Sequence, residues 1–223
     1  MLLVTGVLSV VGYVLEIKDL EVYTKPMTVP LLFMLYWFNT KKLNWIFVLV
    51  LILSFVGDVL LLIGLPQIIY ILDCYLFCYS LLFYFLFKDY KSLQYTKKDI
   101  FSIVVIFSLF TLLIYQIYWV IVPNVEYPVA HTNLYFLVLY SLFISSWLQY
   151  VNIKSAKALW FVIAITSFII SDVCFAIDHF YIEVLGLKII NGVYQLLAVF
   201  FLVQYKLASP KAFRAKNAYV KSA

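Results

Sequence analysis

Two aspartates stand inside long apolar runs in nearly matching surroundings, Val56-Gly57-Asp58-Val59 and Ile170-Ser171-Asp172-Val173, 114 residues apart. A carboxyl group in such a run is removed from water, which favours its neutral, proton-carrying form, and a second carboxyl nearby favours that form further. Two carboxyl groups with divergent proton affinities suit general acid–base work, in which one donates a proton and the other stabilises a cation or activates water. Polar residues in step with the aspartates extend the set. Ser54 lies one helical turn before Asp58, Ser171 adjoins Asp172, and Lys188, Asn191 and Gln195 repeat at i, i+3 and i+7, one helical stripe with Tyr194 beside it. Lys25, Asp73 and His131 stand at or near the ends of other apolar runs.

Each of these residues also has a plainer role. A buried Asp can be an interhelical clamp, and Tyr194 and Gln195 can be the same. A membrane-helix Ser can bond its own backbone. Lys25 can snorkel from a helix end, and His131, close to the Pro128 turn, suits the membrane interface. Other chemistries lack their signatures: there is no Gly-x-Ser-x-Gly elbow and no Walker, Rossmann or zinc motif. Asp178 and His179 adjoin in sequence and so diverge on a helix. Cys74, Cys78 and Cys174 read as packing residues, with no fourth ligand to complete a metal site. Neither a metal nor a cofactor is expected.

The elements that must hold these groups follow from composition. Of 223 residues, 66% are hydrophobic and 12% charged, with a mean hydropathy of +1.04, which excludes an ordinary soluble domain. Charges, prolines and polar clusters divide the chain into apolar runs at 1–16, 26–39, 43–65, 67–87, 100–122, 129–150, 156–179 and 182–205. The expected fold is all-α, a polytopic bundle of about eight transmembrane helices in one domain over 1–205. A basic cytoplasmic tail, 206–223, follows. The first run lacks a positive n-region and a cleavage site, so it reads as a retained helix. The 20 Phe and 19 Tyr supply interfacial aromatic belts.

The net charge of +5 marks topology and not nucleic acid, because the basic residues fall between apolar runs. Lys41, Lys42, Lys88, Lys91, Lys97, Lys98, Lys154, Lys157 and the five cations from Lys206 onward make 13 on one side, against Lys18, Lys25 and Lys188 on the other. This bias places both termini in the cytoplasm of a multi-pass protein, expected in a bacterial inner membrane. In that frame Asp58, Asp73, Asp172 and the Lys188 stripe all fall in the outer half of the bilayer. Carboxylates from three helices at one level imply a polar cavity. The matching Asp58 and Asp172 segments suggest a parallel 4+4 repeat.

The chain resembles the YhhN family of membrane proteins, whose characterised members are lysoplasmalogenases. The resemblance is carried by Lys25-Pro26, by Ser54-x-x-Gly57-Asp58-x-x-Leu61, by Ser171-Asp172 followed by Ala176-Ile177 and Phe180, and by Tyr194-Gln195. Where the family often has a His on the fourth helix, this chain reads Cys78-Tyr79-Ser80-Leu81, and Asp73 falls outside the pattern. The resemblance implies a membrane-embedded hydrolase that splits the vinyl ether of a lysophospholipid into a fatty aldehyde and a glycerophospho-base. Asp58 and Asp172 are then the acid–base pair. Lys25, Ser54, Ser171, Tyr194 and Gln195 would meet the membrane lipid substrate. The alternatives are a transporter of a small molecule or ion built on the same carboxylates, and a noncatalytic family member in a membrane assembly. Oligomeric state is not legible.

Charge counting makes a direct prediction: reporters fused at Lys97 and at Asn124 will report opposite sides of the membrane. Both on one side would overturn the segment order.

Overall fold

Long apolar runs in lipid can satisfy their backbone groups only within themselves, so they form helices. A computed structural model describes residues 18–40, 42–63, 69–89, 95–124 and 129–208, preceded by Leu8, Val11 and Gly12 alone. Among the described residues there are seven α-helices and no strands. They are α1 Lys18–Asn39, α2 Trp45–Ile63, α3 Ile69–Lys88, α4 Lys97–Ile121, α5 Val129–Ile153, α6 Ala156–Phe180 and α7 Leu185–Leu207, with a 3-10 turn at Val122–Asn124. Six of them, α2 to α7, are long and apolar enough to cross a membrane. The protein is therefore a multi-pass integral membrane protein.

Helices α2 to α7 match the expected runs to within three residues at each end. The first expected run, 1–16, and the tail after residue 208 lie outside the described residues apart from Leu8, Val11 and Gly12. α1 departs from expectation: the stretch between the apolar runs 1–16 and 26–39 is helical from Lys18 onward, and Pro26 and Pro30 lie inside the helix. Proline is tolerated within membrane helices because neighbouring helices and local adjustments re-satisfy the freed carbonyls.

α6 and α7 form the most extensive pair. Around them α5 packs on α6, α3 on α5 and α2, and α1 on α2 and α7, while α4 lies at the periphery against α5 and α6. Leu32, Phe47, Leu51, Tyr79, Leu82, Phe85, Leu142, Phe161, Phe168 and Leu202 are fully buried where the helices meet. Ala164 and Ala198, also fully buried, provide the small side chains that let membrane helices approach closely. Large apolar groups on α4 such as Phe101, Leu109, Leu112 and Leu113 stay on the outer surface. In hydrocarbon this costs nothing, since lipid tails are as apolar as leucine.

The lysine-rich end is fastened by two aspartates. Thr96 and Asp99 form a capping box that starts α4, and Asp99 Oδ1 also accepts from Lys154 Nζ at 2.8 Å. Lys154 stands in the α5–α6 turn with φ of 48°, an unusual conformation for a residue with a Cβ. At the end of α3, Asp89 pairs with Lys157 of α6 and accepts from the Tyr205 hydroxyl of α7 at 2.6 Å, joining three helices at one carboxylate.

Burial alone would raise the Asp89 carboxyl, but its bonds from Lys157 and Tyr205 hold it below the usual carboxylate range. A carboxyl lowered on folding adds stability above its unfolded pKa, near 4, and loses it as pH falls through the folded value. Asp89→Asn is expected to lower the thermal midpoint at neutral pH, at a cost on the order of 1 kcal/mol. It should also flatten the loss of stability on acidification below about pH 5. Parallel pH curves for wild type and variant would show that Asp89 carries none of that dependence.

Candidate active site

Asp58 is buried on α2, and its neighbour Gly57 faces α3. A Cβ at position 57 would stand 3.0 Å from the Tyr75 ring, so the absence of a side chain lets Tyr75 lie across α2. There the Tyr75 hydroxyl donates to Asp58 Oδ1 at 2.8 Å. Gln195 of α7 donates through Nε2 to the same carboxylate oxygen at 2.8 Å and to the Tyr75 oxygen at 2.7 Å. Asp58, Tyr75 and Gln195 thus close a three-membered hydrogen-bonded ring across three helices.

Asp172 of α6 has a second arrangement of the same kind. Its Oδ2 accepts from the Tyr79 hydroxyl of α3 at 2.5 Å and from the Tyr135 hydroxyl of α5 at 2.7 Å. Tyr75 and Tyr79 are one turn apart on α3, with ring centroids 6.3 Å apart. One helix therefore supplies a phenol to each aspartate. Phe168 packs edge-on against Tyr79 at 5.5 Å, and Tyr79 is fully buried, which holds this donor in place.

Ser171 is buried and adds a polar bridge between α6 and α7. Its Oγ lies 2.7 Å from Asn191 Oδ1 and 2.9 Å from Gln195 Oε1. Its single proton serves one acceptor at a time. Through Gln195 this bridge reaches Asp58, so Ser171, the residue before Asp172 in the chain, is bonded into the Asp58 ring.

Both aspartates line one cavity of about 120 Å³, together with Thr28, Tyr75, Thr132, Tyr135, Asn191 and Gln195. Its remaining walls are apolar, among them Leu61, Ile71, Ile117, Phe136, Leu139, Phe175, Phe180 and Val199. That volume admits several water molecules, at roughly 10–15 Å³ each, beside a length of aliphatic chain. Such a space can hold an apolar substrate against two carboxyl groups with water at hand. Among the described residues no group of three His, Cys, Asp or Glu side chains could hold a metal ion.

Asp58, Asp172, Ser171 and Gln195 come together at or beside the cavity, as does Asn191 from the same stripe. Ser54 is buried one turn away, but its hydroxyl meets Cys78 Sγ at 3.5 Å and not the Asp58 carboxyl. Tyr194 does not line the cavity, because a one-residue step turns it about 100° from Gln195 on the helix. Lys188 pairs with Glu183 of the preceding loop, and His131 is exposed at the start of α5. The Lys25 side chain lies outside the described residues. Tyr75, Tyr79 and Tyr135 are the residues that sequence reasoning missed. The signal for them was the i, i+4 spacing of Tyr75 and Tyr79 on the helix after Asp58.

A family model described as the YhhN family matches residues 20–208, most of the chain and all of the cavity. The chain belongs to the YhhN family. No curated protein and no solved structure matches it. The family match covers both aspartates and the three tyrosines that bond to them, so the geometry above is that of a YhhN bundle.

The Gly57–Tyr75 contact is open to a double-mutant test. Gly57→Ala overpacks the ring and is expected to cost about 1–3 kcal/mol, whereas adding Tyr75→Leu makes room and recovers part of that loss. Strict additivity in thermal unfolding would mean that the ring does not depend on the missing Cβ.

Proposed function

We propose that the protein is a hydrolase of the lysoplasmalogenase type, acting on the vinyl ether of a lysophospholipid with Asp58 and Asp172 as its acid–base pair. The observation that carries this reading is that two carboxyl groups, each bonded through one oxygen to two donors, line a single apolar-walled cavity. Vinyl ether cleavage begins with a proton transferred to the β-carbon, which leaves an oxocarbenium ion. One carboxyl group supplies that proton and the other, as carboxylate, stabilises the cation. Water adds to the cationic carbon and loses a proton to a carboxylate, and the resulting hemiacetal collapses to a fatty aldehyde and the glycerol hydroxyl. The two aspartates are treated as one titrating pair, with no fixed donor.

The tyrosines and Gln195 hold the carboxyl groups in orientation, while the apolar walls suit the alkenyl chain. Lys25 is assigned to the substrate phosphate at the rim. A transporter of this kind would be expected to have discontinuous helices at its site. Here α1 runs unbroken through Pro26 and Pro30, which favours the hydrolase.

The topology belongs to the same proposal: eight spans in one domain over 1–205, with run 1–16 as the first, both termini cytoplasmic in a bacterial inner membrane, and a basic tail over 206–223. A parallel 4+4 repeat is supported by exchanged contacts. α3 packs on α5 as α1 packs on α7, Gly57 faces Tyr75 as Ser171 faces Asn191, and Asp58 takes a donor from Gln195 as Asp172 takes one from Tyr79.

Purified protein incubated with lysoplasmalogen should release aldehyde. Asp58→Asn and Asp172→Asn should each reduce the rate at least ~100-fold, and Tyr79→Phe or Tyr135→Phe by about 10-fold, in the range of lost acid–base and orienting contributions. No aldehyde from folded wild type would overturn the activity. Full rates in both Asn variants would overturn the site.

A further inference from the structure

The lysine-rich end contains a second cluster, remote from the aspartate cavity. Lys206, in the last turn of α7, is half-buried, with Nζ 3.0 Å from the ring centroid of Phe85, 5.0 Å from that of Tyr205 and 5.5 Å from that of Phe47. Lys157 Nζ lies 5.0 Å from the same Tyr205 ring. Lys88, exposed at the end of α3, sits 5.7 Å over Tyr84. Lys88, Lys157 and Asp89 are all near enough to act electrostatically on Lys206.

The charges here do not balance. Among the described residues Asp89 is the one carboxylate acting on this cluster, and its Oδ2 already takes both Lys157 and the Tyr205 hydroxyl. Among the described residues Lys206 makes no ion pair and no hydrogen bond, and its ammonium lies over aromatic faces, which attract a cation but accept no strong hydrogen bond. The sequence offers no further acidic side chain at this end. Segments 39–44, 88–99, 152–157 and 206–223 contain only Asp89 and Asp99, and Asp99 is occupied by Lys154. Three basic side chains gathered around one carboxylate leave this end with an excess of cationic groups, Lys88 exposed and Lys206 half-buried.

We propose that Lys88, Lys157 and Lys206 form a binding site for the phosphate of an anionic phospholipid headgroup, between the ends of α3, α6 and α7. A phosphate supplies both missing quantities, negative charge and hydrogen-bond acceptors, and basic pockets between helix ends at the membrane surface hold anionic headgroups by this chemistry. The site sits where the spanning helices end, which is where headgroup phosphates lie. A lipid is favoured over a free anion because the exposed Tyr84 and Phe87 on the adjoining face of α3 offer apolar surface to its chains. The site is independent of the proposed hydrolase activity.

The test uses the full chain in neutral detergent, with thermal midpoint and native mass spectrometry read after adding phosphatidylglycerol, phosphatidylcholine or inorganic phosphate. Phosphatidylglycerol is expected to raise the midpoint by several degrees and to give a discrete one-lipid adduct, while the other two leave both unchanged. Lys206→Met and Lys88→Gln should each weaken apparent lipid affinity at least fivefold. Lys88, exposed and in no ion pair among the described residues, keeps the test decisive if Lys206→Met unfolds. A tail variant with Lys211, Arg214, Lys216 and Lys221 all changed to Gln should retain the adduct. An unchanged affinity in Lys88→Gln, loss of the adduct in the tail variant, or an equal shift with inorganic phosphate would each overturn the assignment.

Discussion

A carboxyl group buried between membrane helices must find hydrogen-bond donors within the protein, because the surrounding hydrocarbon has none to give. In this chain that requirement organises the bundle. Asp58 on α2 draws on α3 and α7, and Asp172 on α6 draws on α3 and α5. Five of the seven described helices are thereby tied to two side chains. Interhelical hydrogen bonds in membranes are individually modest, averaging about 0.6 kcal/mol, so their value here is geometric: they fix rotation and depth of helices whose apolar faces would pack tolerably in several registers.

The helices were legible because lipid imposes the simplest pattern a sequence can show, an apolar run closed by charge. α1 was misjudged at its start for the same reason. Lys18, Asp19 and Glu21 read as a loop, although nothing prevents a helix from continuing past the hydrocarbon. The two aspartates stood out because charge is rare in such runs. Their partners did not: Tyr75, Tyr79 and Tyr135 are three of 19 tyrosines, and a phenol at the membrane interface has the same sequence signature as a phenol buried on a carboxylate. Of the stripe on α7, Asn191 and Gln195 line the cavity, whereas Lys188, one turn away, turns to Glu183.

The two ends of the molecule are built differently. At the lysine-rich end, Asp89 and Asp99 are salt-bridged and bind separate helices to one another through charges that keep contact with water. Toward the other end, polar groups meet as neutral donors and acceptors around the carboxyl pair.

Tyr75 and Tyr79 occupy successive turns of α3, and each bonds a different aspartate. The two acids consequently share a single rod. A slide or rotation of α3 by a fraction of an ångström alters both donor distances at once, so the acids respond in common and not separately. Lipid thickness, tilt, or a neighbouring protein pressing on the outer face of α3 would thus act as one dial for the pair, and sequence drift along that helix is constrained by two sites for every step it takes.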